Sequence, residues 1–149
     1  MRAVVQRTLK SSVTVDNQII AAIEKGLTVL LGVGLQDTVE DACYLAEKIV
    51  NLRIFSDDRG KMNLSLLHTK GDLLVVSQFT LLGDCRKGRR PSFDAAASAQ
   101  TAQQLYEKFI ECCTDLGAKV SSGKFQSEMV VTLDNHGPVT MLLDSKRIF

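Results

Sequence analysis

The chain has 149 residues, which suits one domain and leaves little room for two. Hydrophobic residues make up 45% and charged residues 23%, which excludes a disordered tail, a collagen-like chain and a coiled-coil rod. Lys+Arg 18 against Asp+Glu 17 leave a net charge of +1, so any nucleic-acid partner must meet a local basic patch. With 2 His, 2 Pro, 4 Cys and no Trp, reactive side chains are scarce.

Residues 4–9 and 12–15 are short β-branched runs that predict strands. Asp16-Asn17-Gln18 supplies turn chemistry, and residues 19–23 resume an apolar run. Residues 27–33 (LTVLLGV) are nearly continuously apolar, which predicts a strand buried on both faces. Asp37 and Glu40 have capping-box spacing, and Val39, Cys43, Ala46, Ile49 and Val50 then recur at helical intervals. Residues 53–55 read as a short strand and Asp57-Asp58-Arg59-Gly60 as a turn. Residues 72–78 (DLLVVSQ) predict another apolar strand. Residues 83–94 are the least regular, with Gly83, Gly88 and Pro91 among four basic side chains. A second helix covers roughly 101–116, with Leu105, Phe109, Cys112 and Leu116 on one stripe and Gly117 as its stop. Residues 129–133 and 139–143 predict two strands around a tight Asn135-His136-Gly137-Pro138 connection. The predicted fold is α/β: a single compact domain over 1–149, with a mixed, mostly antiparallel, barrel-like sheet packed with two main helices.

Several signals read as structural. Cys43, Cys85, Cys112 and Cys113 make no C-x-x-C pair, so a disulfide framework and a zinc site are not expected. The start Met1-Arg2-Ala3-Val4-Val5-Gln6-Arg7 has no signal-peptide core, and no apolar run approaches a membrane span. A reduced, soluble, cytoplasmic protein with no metal, cofactor or membrane contact is the expectation. Gly32-Val33-Gly34 lies between a strand and a helix, but a dinucleotide loop needs glycine at 37, where Asp stands. A carboxylate there repels a pyrophosphate, so a structural turn is expected. Asp57 and Asp58 read as a solvated turn rather than an acid–base pair. His68 reads as a surface or satisfied side chain, and no Ser/His/Asp or Cys/His constellation emerges.

Three strings carry possible chemistry. Arg86, Lys87, Arg89 and Arg90 follow Asp84 among glycines, as either a solvated loop or a phosphate-contacting one. Phe93 beside them would pack the loop or stack on a base. Ser77-Gln78-Phe79-Thr80-Leu81 puts polar groups at the end of a buried strand, where active sites and plain strand ends both occur. Asn135-His136-Gly137-Pro138-Val139-Thr140 holds one of the two prolines, and an X-Pro bond in a tight turn can be cis.

Together, the last two strings resemble the D-aminoacyl-tRNA deacylases, whose pattern is SQFTL near mid-chain and NxGPVT near the C-terminus. Both are present without departure. The start Met1–Arg7, Gly60-Lys61-Met62-Asn63, Arg89-Arg90-Pro91-Ser92-Phe93 and Gly123-Lys124-Phe125 are also similar to that family. The resemblance spans essentially the whole chain. It implies a cytoplasmic homodimer that hydrolyses the ester between a D-amino acid, or glycine, and the terminal adenosine of tRNA. It also implies that Gly137 and cis Pro138 of one subunit face Ser77, Gln78, Phe79 and Thr80 of the other. Arg7 would hold the Gly-Pro loop, Phe125 and Met129 would contribute to an adenosine pocket, and no metal or cofactor would be needed.

On that reading, backbone carbonyls of Gly137 and Pro138 crowd the direction of an L side chain, and glycine passes because it has none. No general base is evident. Either the substrate 2′-OH assists while N–H groups near Phe79 and Thr80 stabilise the oxyanion, or Thr80 is a nucleophile. A noncatalytic RNA-binding module using Arg86, Lys87, Arg89, Arg90 and Phe93 is the alternative of a different class.

Overall fold

The long strand β1 (Arg2–Val15) organises the sheet. Its buried/exposed alternation is interrupted at Thr8-Leu9-Lys10-Ser11, where its pairing register with β8 also shifts. That is why the sequence reads as two strands while the backbone forms one. Asp16 and Asn17 both take positive φ, 49° and 62°, and Val15 pairs with Gln18. Those angles fit a two-residue primed turn, whose twist suits a hairpin. The returning chain runs along one edge of β1 as β2 (Gln18–Ile23) and then β3 (Gly26–Gly32). The computed structural model describes residues 1–148.

Helix α1 (Val39–Val50) follows β3. Its N-cap is Thr38, not Asp37, and Asp41 accepts the Thr38 N–H at 2.9 Å. Asp37 is drawn elsewhere. Its carboxylate accepts the Met1 ammonium at 2.6 Å and the Gly34 N–H at 2.6 Å. The short strands β4 (Phe55–Ser56) and β5 (Met62–Leu64) pair across the predicted 57–60 turn, so the strand expected at 53–55 falls slightly later. A single helical turn, α2 (Leu66–Thr69), is capped by Ser65. His68 Nδ1 lies 2.8 Å from the Ser65 hydroxyl, the satisfied role expected for it. Strand β6 (Asp72–Ser77) pairs parallel to β3, and β7 (Lys119–Ser122) pairs parallel to β6 after helix α3 (Ala99–Asp115).

Strand β8 (Val130–Asp144) corrects the expectation of two C-terminal strands joined by a turn. Both halves pair antiparallel with β1, and the motif between them is a bulge. From Thr8↔Asn135 to Gln6↔Thr140, β8 advances five residues while β1 advances two. The surplus loops out of the ladder, so a turn-like sequence exists without a change of direction.

The mixed sheet carries an apolar cluster on each of its faces. Val5, Val29, Leu31, Leu73 and Val75 are almost fully buried in one cluster with Leu45 and Ile49 of α1 and Phe109 of α3. Val13, Val15, Ile23, Leu74 and Val76 form a second cluster, and β2 comes close to β6 and β7. The sheet thus curls on itself like a partial barrel. Each large side chain so buried contributes about 1.5–3 kcal/mol. Cys43 and Cys112 meet across the α1–α3 contact and are joined, Cα to Cα 5.5 Å. Reduced thiols were expected at both positions. The helices bring together residues that sequence spacing leaves unrelated. Among the described residues, no helix is long and apolar enough to cross a membrane.

The end of β8 is tied to α1 by Lys146, whose ammonium lies 2.7 Å from Asp41 Oδ2. Burial alone would raise the Asp41 carboxyl, but hydrogen bonds from Lys146, Ser145 and Thr38 hold it well below the usual carboxylate range. The stabilisation is therefore present above about pH 4 and fades as pH falls below that value. Asp41→Asn is expected to cost about 1.5–3 kcal/mol at pH 7. Thermal unfolding from pH 7 to pH 2 should show the wild-type advantage shrinking in acid. A constant difference between the two proteins across that range would contradict this.

Candidate active site

Strand β6 ends in polar residues because it reaches the rim of the sheet there. The Gln78 N–H donates to Leu31 O at 2.8 Å, the last tie to β3. A 3-10 turn, Phe79–Leu82, then carries the chain away, with Leu82 buried as its anchor. Arg2 Nη1 donates to Leu81 O at 3.0 Å and fixes the turn from β1. The N–H groups of Phe79 and Thr80 open this turn, where no preceding turn supplies carbonyl partners.

Gly32 makes this arrangement possible. A Cβ there would lie 2.6 Å from Leu82 Cδ2 and 2.9 Å from Gln78 O. The Gly32-Val33-Gly34 string is thus the structural element expected, and it seats the Ser77–Leu81 motif. Gly32→Ala is expected to lower turnover at least tenfold, since a displacement near 1 Å costs up to about 100-fold. Unchanged kcat in a folded Gly32→Ala protein would count against this seat.

Ser77, Gln78 and Phe79 line one side of a cleft of about 630 Å³. Val33 and Val76 also line it, and Ala96, Ala97, Ala99 and Ala102 leave it wide. Phe125, Gln126, Ser127 and Met129 line it from the loop before β8. The size is in the range of small-ligand sites. Among the described residues, its lining contains no Asp, Glu, His, Lys, Arg, Tyr or Cys. Phe125 packs on Tyr106 at 5.9 Å between ring centroids, and the Tyr106 hydroxyl donates to Val75 O at 2.8 Å. Burial pushes the Tyr106 phenol up to about 12, so it stays neutral. A Cβ on Gly123 would sit 2.8 Å from Met129 Sδ, so this glycine lets Met129 take its place. The alanine run and the Tyr106 support were not singled out from the sequence. The string AAASAQTA was the available signal, as small residues leave space.

Thr80 is exposed and lies outside the cleft lining. Its hydroxyl is bonded to the Gln78 side-chain amide. The structure therefore brings together Ser77, Gln78, Phe79, Phe125 and Met129, and sets Thr80 just beyond them.

The second motif stands elsewhere on the same chain. The Gly137–Pro138 bond is cis, and both residues are exposed. Neither lines the chain's own cleft. Asn135 Oδ1 accepts the Val139 N–H at 2.8 Å, and Asn135 Nδ2 donates to Thr140 Oγ1 at 3.0 Å. The first and last residues of the motif thus close the bulge. Arg7 holds its centre: Nε donates to His136 O at 3.0 Å and Nη1 to Ile54 O at 2.5 Å. The Arg7 side chain is buried while doing so. His136 Nδ1 is buried without a hydrogen-bond partner among the described residues.

Arg86, Lys87, Arg89 and Arg90 are all exposed, on a loop closed by backbone bonds between Asp84 and Ser92. Arg86 is engaged locally, with Nη2 2.6 Å from Asp84 Oδ2. That guanidinium holds the Asp84 carboxyl well below the usual carboxylate range. Phe93, just beyond the loop, packs edge-on against Phe79 with centroids 5.0 Å apart. The loop therefore stands beside the cleft.

The model of the D-Tyr-tRNA(Tyr) deacylase family matches residues 4–144. This chain belongs to that family. D-aminoacyl-tRNA deacylases of Fervidobacterium nodosum and Thermosipho africanus are 59% and 57% identical to it over 149 residues, covering 100% of both chains. A solved structure of a c-Myc DNA unwinding element binding protein superposes with TM-score 0.92 at 39% identity, covering 97% of this chain and 98% of that one. A probable eukaryotic D-amino acid tRNA deacylase superposes with TM-score 0.82 at 17% identity, covering 95% of this chain and 97% of that one, a likeness of fold. The cleft thus lies in a D-Tyr-tRNA deacylase-family fold, with the Ser77–Leu81 string at its rim.

Proposed function

We propose that this protein hydrolyses the ester between a D-amino acid and the terminal adenosine of tRNA, and that it acts in the cytoplasm as a proofreader of chirality. The observation that carries the reading is the cleft at the end of β6. It is large enough for a nucleoside, rimmed by Ser77, Gln78 and Phe79, and lined by no titratable side chain among the described residues. Family membership supplies the substrate class.

In this reading the adenosine lies against Phe125 and Met129, and the ester carbonyl approaches the turn at Phe79 and Thr80. The two N–H groups that open the turn stabilise the developing oxyanion. The 2′-hydroxyl of the terminal ribose activates a water that attacks the ester carbon; the bond from that carbon to the ribose oxygen then breaks, releasing the free D-amino acid and the tRNA hydroxyl. A Thr80 nucleophile is the weaker route, because its hydroxyl is engaged by Gln78 and the cleft offers no base.

The active unit is a homodimer. Gly137 and Pro138 are exposed on their own chain and lie outside its cleft, as expected of groups that complete a partner's site. Their carbonyls stand where an L side chain would project, so any L residue clashes. Glycine, without a side chain, is hydrolysed too. Arg7 keeps this loop in position. Lys87, Arg89 and Arg90 follow the RNA backbone, and such contacts weaken as salt rises.

Incubation with D-Tyr-tRNA, L-Tyr-tRNA and Gly-tRNA tests the reading. Loss of the D-tyrosyl and glycyl esters with survival of the L-tyrosyl ester is expected. Retention of all three esters, with binding of tRNA, would favour a noncatalytic RNA-binding module. Solution mass tests the shared site, since a stable monomer with full activity contradicts it.

A further inference from the structure

We infer that Phe93 is a positioning residue, which couples the basic loop to the turn bearing Phe79 and Thr80. The inference rests on the deacylase reading of the cleft and adds a residue to it.

The segment around Phe93 is pinned on both sides. Before it, Asp84 N–H donates to Ser92 O at 2.7 Å and Ser92 N–H to Asp84 O at 3.0 Å, closing the basic loop. After it, Leu35 N–H donates to Ala95 O and Ala97 N–H to Val33 O, both at 3.0 Å, tying the chain to the end of β3. Ala96 and Ala97 then enter the cleft wall. The Phe93 ring projects between these two ties. It meets Phe79 at 5.0 Å between centroids, with ring planes 65° apart. It also lies against Gly83, where an added Cβ would be 3.0 Å from Phe93 Cε1 and 3.0 Å from Thr80 O. The lack of a side chain at Gly83 lets the ring reach the turn.

This geometry decides between the two roles open to Phe93 from the sequence. The ring is edge-on to Phe79, a preferred aromatic arrangement, and serves as a strut at the surface, against the turn. Phe79 is the more exposed of the two, with 54% of its surface accessible against 37% for Phe93. Phe79 therefore faces the ligand and Phe93 supports it. Phe93 follows directly on the Asp84–Ser92 bonds that close the loop carrying Lys87, Arg89 and Arg90, and its ring fixes the turn. Recognition of the RNA backbone and alignment of the ester thus share one contact.

The test compares wild-type protein with Phe93→Leu and Phe93→Tyr on D-Tyr-tRNA, with melting temperatures recorded alongside. Phe93→Leu keeps an apolar side chain and removes the aromatic edge. Its kcat is expected to fall about tenfold while KM changes less than about twofold, as for a misaligned rather than an unbound substrate. Phe93→Tyr keeps the ring and is expected to restore kcat. Wild-type kcat in Phe93→Leu, a change confined to KM, or no rescue by Phe93→Tyr would overturn the inference. Inactivity of the wild-type protein on D-Tyr-tRNA would instead overturn the deacylase reading beneath it.

Discussion

Replacing Gly137 by alanine is expected to lower the preference for D-Tyr-tRNA over L-Tyr-tRNA by at least about tenfold, through misplacement of the groups proposed to exclude the L side chain. Gly137 has φ +127°, a conformation that L residues rarely adopt. An added Cβ would lie 2.8 Å from Arg7 Nη2 and 2.8 Å from Val139 Cγ2. Neither neighbour yields easily. Arg7 is buried and bound to both His136 O and Ile54 O, and Val139 is buried in the main core. The backbone at 137 must move instead, and it carries the carbonyls proposed to face the substrate. Strain of this kind costs about 1–3 kcal/mol, so a lower melting temperature should accompany the loss of selectivity. Initial rates on the two tyrosyl esters give the ratio directly. An unchanged ratio in a folded Gly137→Ala protein would remove Gly137 from chiral selection.

The same region shows what the sequence makes legible. Buried strands announced themselves, because residues 27–33 and 72–78 are apolar on both faces. The Asp16-Asn17 hairpin was readable from turn chemistry alone. The C-terminal strands were not, since turn residues describe local backbone and say nothing about which strand the flanks pair with. Asn135, Gly137 and Pro138 look like a hairpin and form a bulge because both flanks find β1. Thr38 displaced Asp37 as the helix cap for a similar reason. The Asp37 carboxylate has a stronger partner in the Met1 ammonium, a contact distant in sequence. Cys43 and Cys112 meet only because α1 and α3 pack, which no spacing rule encodes.

Site residues divide along the same line. Ser77, Gln78 and Thr80 stood out as polar groups ending a buried strand, a pattern that plain strand ends share. The family resemblance added Phe79, Arg7, Gly137, Pro138, Phe125 and Met129, and the structure puts Phe79, Phe125 and Met129 in the cleft wall. The supports behind them were hidden. Gly32, Gly83 and Gly123 each matter through a Cβ that is absent, and sequence alone does not say which neighbour would be struck. Tyr106 reads as one more apolar position of α3 until its hydroxyl is seen on Val75 O.

A D-tyrosyl ester on a tRNA ending in 2′-deoxyadenosine is expected to be hydrolysed about 100- to 1000-fold more slowly, the scale of one lost catalytic group. Among the described residues, the cleft lining offers no side chain able to take a proton near neutral pH. Tyr106, the nearest phenol behind its wall, is buried and held neutral, with its hydroxyl spent on Val75 O. Both histidines are outside the lining, and His68 is committed to Ser65. In the proposed mechanism the protein contributes position and hydrogen-bond donors, while the substrate 2′-hydroxyl activates the attacking water. Thr80→Ala separates this from nucleophilic catalysis. It leaves the backbone N–H at 80 in place and frees Gln78 from its side-chain contact, so kcat should stay within about fivefold of wild type. A nucleophile, by contrast, takes several orders of magnitude with it when deleted. Full activity on the 2′-deoxy substrate together with loss of activity in Thr80→Ala would transfer the chemistry to the threonine hydroxyl. Trapping of an acyl-enzyme ester at Thr80 would do the same.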